Sequence, residues 1–98
     1  MKIAQHIRDI GFTGHAALYR LSEPLGNGWD HGPTYEYVVV SAAVVIFSGA
    51  ETHIYGSNAS GDVVSWSELD GSYRGGMSHS TALARAGYNV GVLAEPSA

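Results

Sequence analysis

Cysteine is absent from these 98 residues, which removes disulfides, thiolate nucleophiles and cysteine-based zinc sites from consideration. Charge is scarce as well, with 14% of residues charged against about 25% in an average domain. Lysine occurs once, at Lys2, and the formal net charge is −4. The chain therefore lacks the basic clusters that neutralise phosphates, and nucleic acid is not an expected partner. Its nine carboxylates are too thinly spread to imitate a nucleic acid. No Gly-x-Ser-x-Gly elbow occurs, and no histidine pair has the i, i+4 spacing of a helical zinc motif with a carboxylate nearby. No apolar run approaches the roughly 20 residues of a membrane helix, so no membrane span is expected. Residues 1–10 carry no signal-like apolar core, and a cytoplasmic location is the expectation.

What is present is a β-branched run, Tyr37 to Phe47 (YVVVSAAVVIF), apolar enough to be buried on both faces or to be covered by a partner on one. With 45% hydrophobic residues the chain reads as one domain over 1–98. Ile3, Ile7 and Ile10 recur at spacings of four and three, which predicts a short N-terminal helix ended by Gly11. Thr13 to Leu21 reads as a first strand, and 22–33, with Pro24, Gly26, Gly28, Gly32 and Pro33, as a long loop. Tyr35 to Phe47 reads as a long strand with a bend or bulge near Ala42. A return strand over Glu51 to Tyr55, a turn over Asn58 to Asp62 and a further strand over Val63 to Trp66 complete a meander. Ser78 or Ser80 is placed to cap a helix through Thr81 to Ala86, with Gly87 as its left-handed terminator. Tyr88 to Leu93 follows as a last short strand, and 95–98 as a tail. The expected fold class is α+β: an antiparallel meander of three to five strands, with a short N-terminal and a C-terminal helix packed on one face.

Candidate binding residues are few. Trp29 and His31 sit in the Gly/Pro loop, where an indole serves as a recognition tip or as a plug over the core. Trp66, Tyr73 and Arg74 are residue types that anchor protein interfaces, and they cluster at the junction between sheet and C-terminal helix. The segment Gly71 to Gly76 precedes that helix and, with Arg74, suggests an anion or nucleotide-phosphate loop, although it lacks the Gly-Lys-Ser/Thr end of a P-loop. The plainer reading is a glycine-rich linker. Five histidines, His6, His15, His31, His53 and His79, are many for this length, histidine being the side-chain type suited to acid–base work near neutrality, and His53 or His79 with a carboxylate offers a hydrolase reading. The carboxylate pairs Glu68/Asp70 and Asp30/Glu36 read as solvated loop groups rather than as an acid–base pair. No catalytic residue, metal or cofactor is assigned. The low charge and the Ser/Gly/Tyr-rich composition favour self-association, as a homodimer, or a protein partner.

The segments Gly11–Leu21 (GFTGHAALYRL), Tyr35–Ser41 (YEYVVVS) and Trp66–Gly75 (WSELDGSYRG) together resemble small accessory proteins of actinobacterial phages and their hosts, over most of residues 11–90. The resemblance brings no catalytic residue. It implies a biological setting, that of a non-enzymatic accessory protein which binds a host or phage protein.

Overall fold

A computed structural model describes residues 2–10, 15–26, 34–46, 49–65, 69 and 71–92. The elements are β1 (Lys2–Ile10), β2 (His15–Gly26), β3 (Thr34–Val45), β4 (Gly49–Ser57), β5 (Tyr73–Arg74), α1 (His79–Arg85) and β6 (Tyr88–Val90). They form a six-stranded sheet in the order β5-β4-β3-β2-β1-β6, curled into a half-barrel. All neighbours are antiparallel except β1 and β6, which pair in parallel. The expected α+β meander with helices at both ends is thus corrected to a mostly β, mixed sheet carrying one short helix.

The N-terminal helix is replaced by β1, and the reason lies in one residue. His6 pairs with Tyr19 and Arg8 with Leu18, leaving Ile7 as an extra residue. Such a bulge shifts the alternation of the strand by one, so Ile10 packs with Ala16 and Leu18, on the face opposite Ala4. Isoleucines at spacings of four and three mimic a helix because a bulged strand also brings odd separations onto one face. The loop expected from residue 22 is corrected as well, since β2 continues to Gly26. From Arg20 to Leu25 the chain advances five residues while its partner goes only from Tyr37 to Tyr35. Pro24 falls inside that looped-out stretch, where no ladder N–H is required of it. Ser22 Oγ accepts from the Ile3 N–H at 2.8 Å, and the Tyr88 hydroxyl donates to the Glu23 carbonyl at 2.6 Å, which holds the irregular stretch against its neighbours.

Within one chain the first part of the apolar run, Val38 to Val40, is buried on both faces. Val38, Val39 and Val40 are all 0% exposed. Val38 and Val40 join Ala17, Tyr19, Leu21 and Ile54 beneath Ala82 and Leu83 of α1. Val39 packs with Ala16 and Leu18, with Ile10, Tyr37 and Val63 around them. The turn after β4 provides part of the second cover. Asn58 Oδ1 accepts from the N–H groups of Ser60 and Asp62, each at 3.0 Å, and a Cβ on Gly61 would meet Ile10 and Leu18 side chains at 3.5 and 3.6 Å. The bulge expected near Ala42 is not found, because β3 and β4 pair without a break from Tyr37↔Ser57 to Val45↔Gly49. Val63 makes only an isolated bridge to Ser57, so of the strand expected over Val63 to Trp66 the described residues 63–65 form no strand.

Helix α1 begins where the cap chemistry predicts. Ser78 is the N-cap, its hydroxyl accepting from the Thr81 N–H at 3.2 Å, and Gly87 follows the last turn at φ +97°. Thr52 anchors that start to the sheet. Its hydroxyl donates to the Gly76 carbonyl at 2.9 Å and accepts from the Ser78 N–H at 3.2 Å.

Candidate functional site

Beside the N-terminal end of α1 the sheet leaves a cleft of about 650 Å³. His15 and Tyr19, four apart on β2, point to the same face because strand side chains alternate. Ala42, Ala43 and Val44 line the cleft from β3, and Met77 and His79 line it from the chain that enters α1. On the face that His15 and Tyr19 share, the small side chain of Ala42, opposite His15, leaves the space.

The polar side of the cleft is one connected group. His79 Nε2 lies 2.9 Å from the His15 carbonyl and Nδ1 lies 3.1 Å from the Tyr19 hydroxyl. A carbonyl only accepts, so Nε2 carries the proton, and in the neutral ring Nδ1 accepts from Tyr19. Burial lowers the His79 pKa below its ordinary 6.5, outweighing the hydrogen bond to the His15 carbonyl, which raises it. Burial also raises the Tyr19 pKa above 10.0. Both groups are neutral at pH 7, and both ring nitrogens of His79 are engaged. The His15 ring lies 4.8 Å from that of His79 at 37°, and His6 meets the edge of Tyr19 at 5.5 Å. His6 in turn bonds Asp9 at 2.9 Å, and that bond holds the Asp9 carboxyl below the usual range. Among the described residues no cluster of three or more histidine and carboxylate side chains has the geometry to hold a metal ion.

A second, smaller cleft of about 250 Å³ is lined by His53, Ser72, Tyr73, Arg74 and Arg85. Beside it, Glu51 is buried, with its carboxylate 2.9 Å from His53 Nε2 and 3.2 Å from Arg74 Nε. Burial pushes that carboxyl up, yet the bond from His53 and the charge and bond of Arg74 outweigh it and leave the pKa lowered. Tyr73 packs partly on the core, with the Arg85 guanidinium 5.3 Å from its ring centre. The expected pair Tyr73 and Arg74 therefore come together at β5, but as the closing piece of the sheet edge. The glycine-rich loop spends its amides internally: Ser72 N–H donates to the Leu69 carbonyl and Gly75 N–H to that of Ala50, at 3.2 and 2.7 Å. Trp29, His31 and Trp66 lie outside the described residues.

The third feature is the end of the β3–β4 hairpin. Among the described residues the last β2–β3 pair is His15↔Ala42, whereas β3 and β4 stay paired to Val45↔Gly49. Val44 and Ile46 on this arm are 72% and 79% exposed. The sheet edges, by contrast, are guarded. Along β4 the Ile54 carbonyl accepts from Leu69 N–H and the Gly56 carbonyl from Val64 N–H. On β1, β6 covers residues 2–4, and beyond them come the Ile7 bulge and the exposed His6, Arg8 and Asp9, features that discourage strand addition.

Sequence reasoning named the histidines without joining them. The i, i+4 pair His15 and Tyr19 was the available signal, once Thr13 to Leu21 was read as a strand. No family model, curated protein or solved structure matches the chain. No helix among the described residues is long and apolar enough to cross a membrane.

Proposed function

We propose that the chain is a non-enzymatic interaction module that docks a protein through the β3–β4 arm, in the setting of the phage-type accessory proteins it resembles. The observation that carries this reading is the exposure of Val44 and Ile46 on a hairpin whose pairing, among the described residues, runs beyond the last β2 pair. Large aliphatic side chains this bare and contiguous with a cleft are more typical of a contact surface than of scattered surface residues. A second copy of the chain is the favoured partner. An apolar tip beside an apolar cleft is self-complementary, so a two-fold axis lets each arm enter the other molecule's cleft. The guarded sheet edges direct association to the arm rather than to strand pairing.

An enzyme is less well supported. His79 has no free nitrogen to act as a base, and Tyr19 keeps its proton. The pair His53 and Glu51 lies beside Ser72, but the Ser72 hydroxyl accepts from the Ile54 N–H at 2.8 Å and Glu51 is shared with Arg74. That network holds β5 to β4.

Sedimentation of the wild type and of a Val44→Ser/Ile46→Ser variant tests the reading. The wild type is expected to dimerise with rising concentration and the variant to remain monomeric, with unfolding midpoints within experimental error of each other. A wild type that stays monomeric at millimolar concentration removes the second copy as the partner. If, in addition, a photo-crosslinker at position 46 captures no more protein in host cells than one at exposed Ala84, the interaction reading itself is overturned.

A further inference from the structure

We infer that the cleft at the start of α1 is a binding site for an uncharged planar aromatic ligand that carries a hydrogen-bond donor. Its volume of about 650 Å³ falls within the range of small-molecule pockets. None of the lining residues is Lys, Arg, Asp or Glu, so a full charge brought into this space would lose water and gain no direct counter-ion from the lining. The shape favours a flat molecule. Ala42 gives a low floor on β3, the His15 and His79 rings form an adjoining wall, and the Met77 thioether adds a polarisable group suited to aromatic edges.

The hydrogen-bond network fixes the polarity of the ligand. The Tyr19 hydroxyl donates its hydrogen bond to His79 Nδ1, and His79 Nε2–H donates to the His15 carbonyl. Tyr19 lines the cleft, and with its hydroxyl proton committed to His79 its phenolic oxygen has only lone pairs to offer, so a donor on the ligand complements it. This site does not depend on the arm reading. Dimerisation occupies the cleft with protein, and in a monomer the cleft is open to the ligand.

Indole is the probe, with 1-methylindole as its donor-less counterpart and indole-3-acetate and tryptamine as charged ones. Amide resonances of the dilute protein are followed during titration. Indole is expected to shift Ala42, Ala43, Met77 and His79 saturably, and to bind at least tenfold more tightly than either charged probe. Indole is also expected to outbind 1-methylindole, and Tyr19→Phe to bring that ratio close to one. Met77→Glu, at a side chain half open to solvent, is expected to weaken indole several-fold without altering the fold. Absence of saturable shifts at the solubility limit overturns the proposal, as does equal binding of the charged probes or a shift pattern centred on His53 and Arg74.

Discussion

The hydroxyl of Tyr19 on β2 donates to Nδ1 of His79 at the first position of α1, 60 residues further along the chain. Together with the bond from His79 Nε2 to the His15 carbonyl, it fastens the helix to the sheet through a neutral imidazole.

This latch makes stability depend on pH. The folded-state pKa of His79 is lowered from 6.5, so below that value the unfolded chain binds more protons than the folded one. Stability is fully present above about pH 6.5 and falls as the pH drops towards the folded pKa. His15, His6, Asp9 and Tyr19 are the titratable groups facing the ring, and Asp9 partly opposes the shift. Asp9 and Glu51, whose pKa values lie below 3.8 and 4.5, lose their contributions only at lower pH, so the two windows separate. Urea unfolding between pH 8 and 5 is expected to show a decline that His79→Gln flattens. An unchanged slope in that variant would assign the decline to other groups.

Thr52 holds the helix start from the sheet side and is 0% exposed. Thr52→Val keeps the shape but leaves the Gly76 carbonyl and the Ser78 N–H without their bonds to the hydroxyl. The expected loss is about 1–3 kcal/mol, read as a lower urea midpoint with unchanged slope.

Two glycines separate backbone strain from crowding. Gly71 has φ +102° and Gly75 has φ +98°, so alanine is strained at both. Nothing lies within 4 Å of a Cβ at Gly75, whereas at Gly71 it would stand 2.4 Å from the Ala82 carbonyl oxygen. Gly75→Ala is expected to cost roughly 1–2 kcal/mol, and Gly71→Ala clearly more because α1 must move. Equal melting temperatures for the two variants would contradict this packing of the loop beneath the helix.

Leu18 and Leu83 lie on opposite faces of the sheet, and each is 0% exposed. Alanine at either position is expected to cost about 2–5 kcal/mol. A loss at Leu18 as small as that of a surface substitution would mean that the face opposite α1 is not a core.

How far these features can be read from the residues depends on how local their causes are. The Ser78 cap, the Gly87 terminator and the Asn58 turn are settled within a few residues, and the structure has them. The double burial of Val38 to Val40 was one of two readings of the run, because an apolar stretch does not specify what covers it. The strand β1 was missed because its bulge copies the spacing of a helix, and the extension of β2 because Pro24 marks a loop unless a neighbouring strand permits a looped-out stretch. The cleft was missed for a different reason: Tyr19 and His79 meet only through the pairing of distant strands. Side-chain identity carried half of that site, and topology supplied the rest.

The parallel pairing of β6 with β1 has a kinetic consequence. Lys2 lies opposite Tyr88, so this pairing joins residues far apart in the sequence. During synthesis the start of β1 lacks its outer neighbour until residues 88–90 have left the ribosome. Contacts this distant in sequence carry a high loop-closure entropy and slow folding. Sealing that end of the sheet is therefore the late step, and a nascent chain stalled before Tyr88 would present the open end of β1 to other chains.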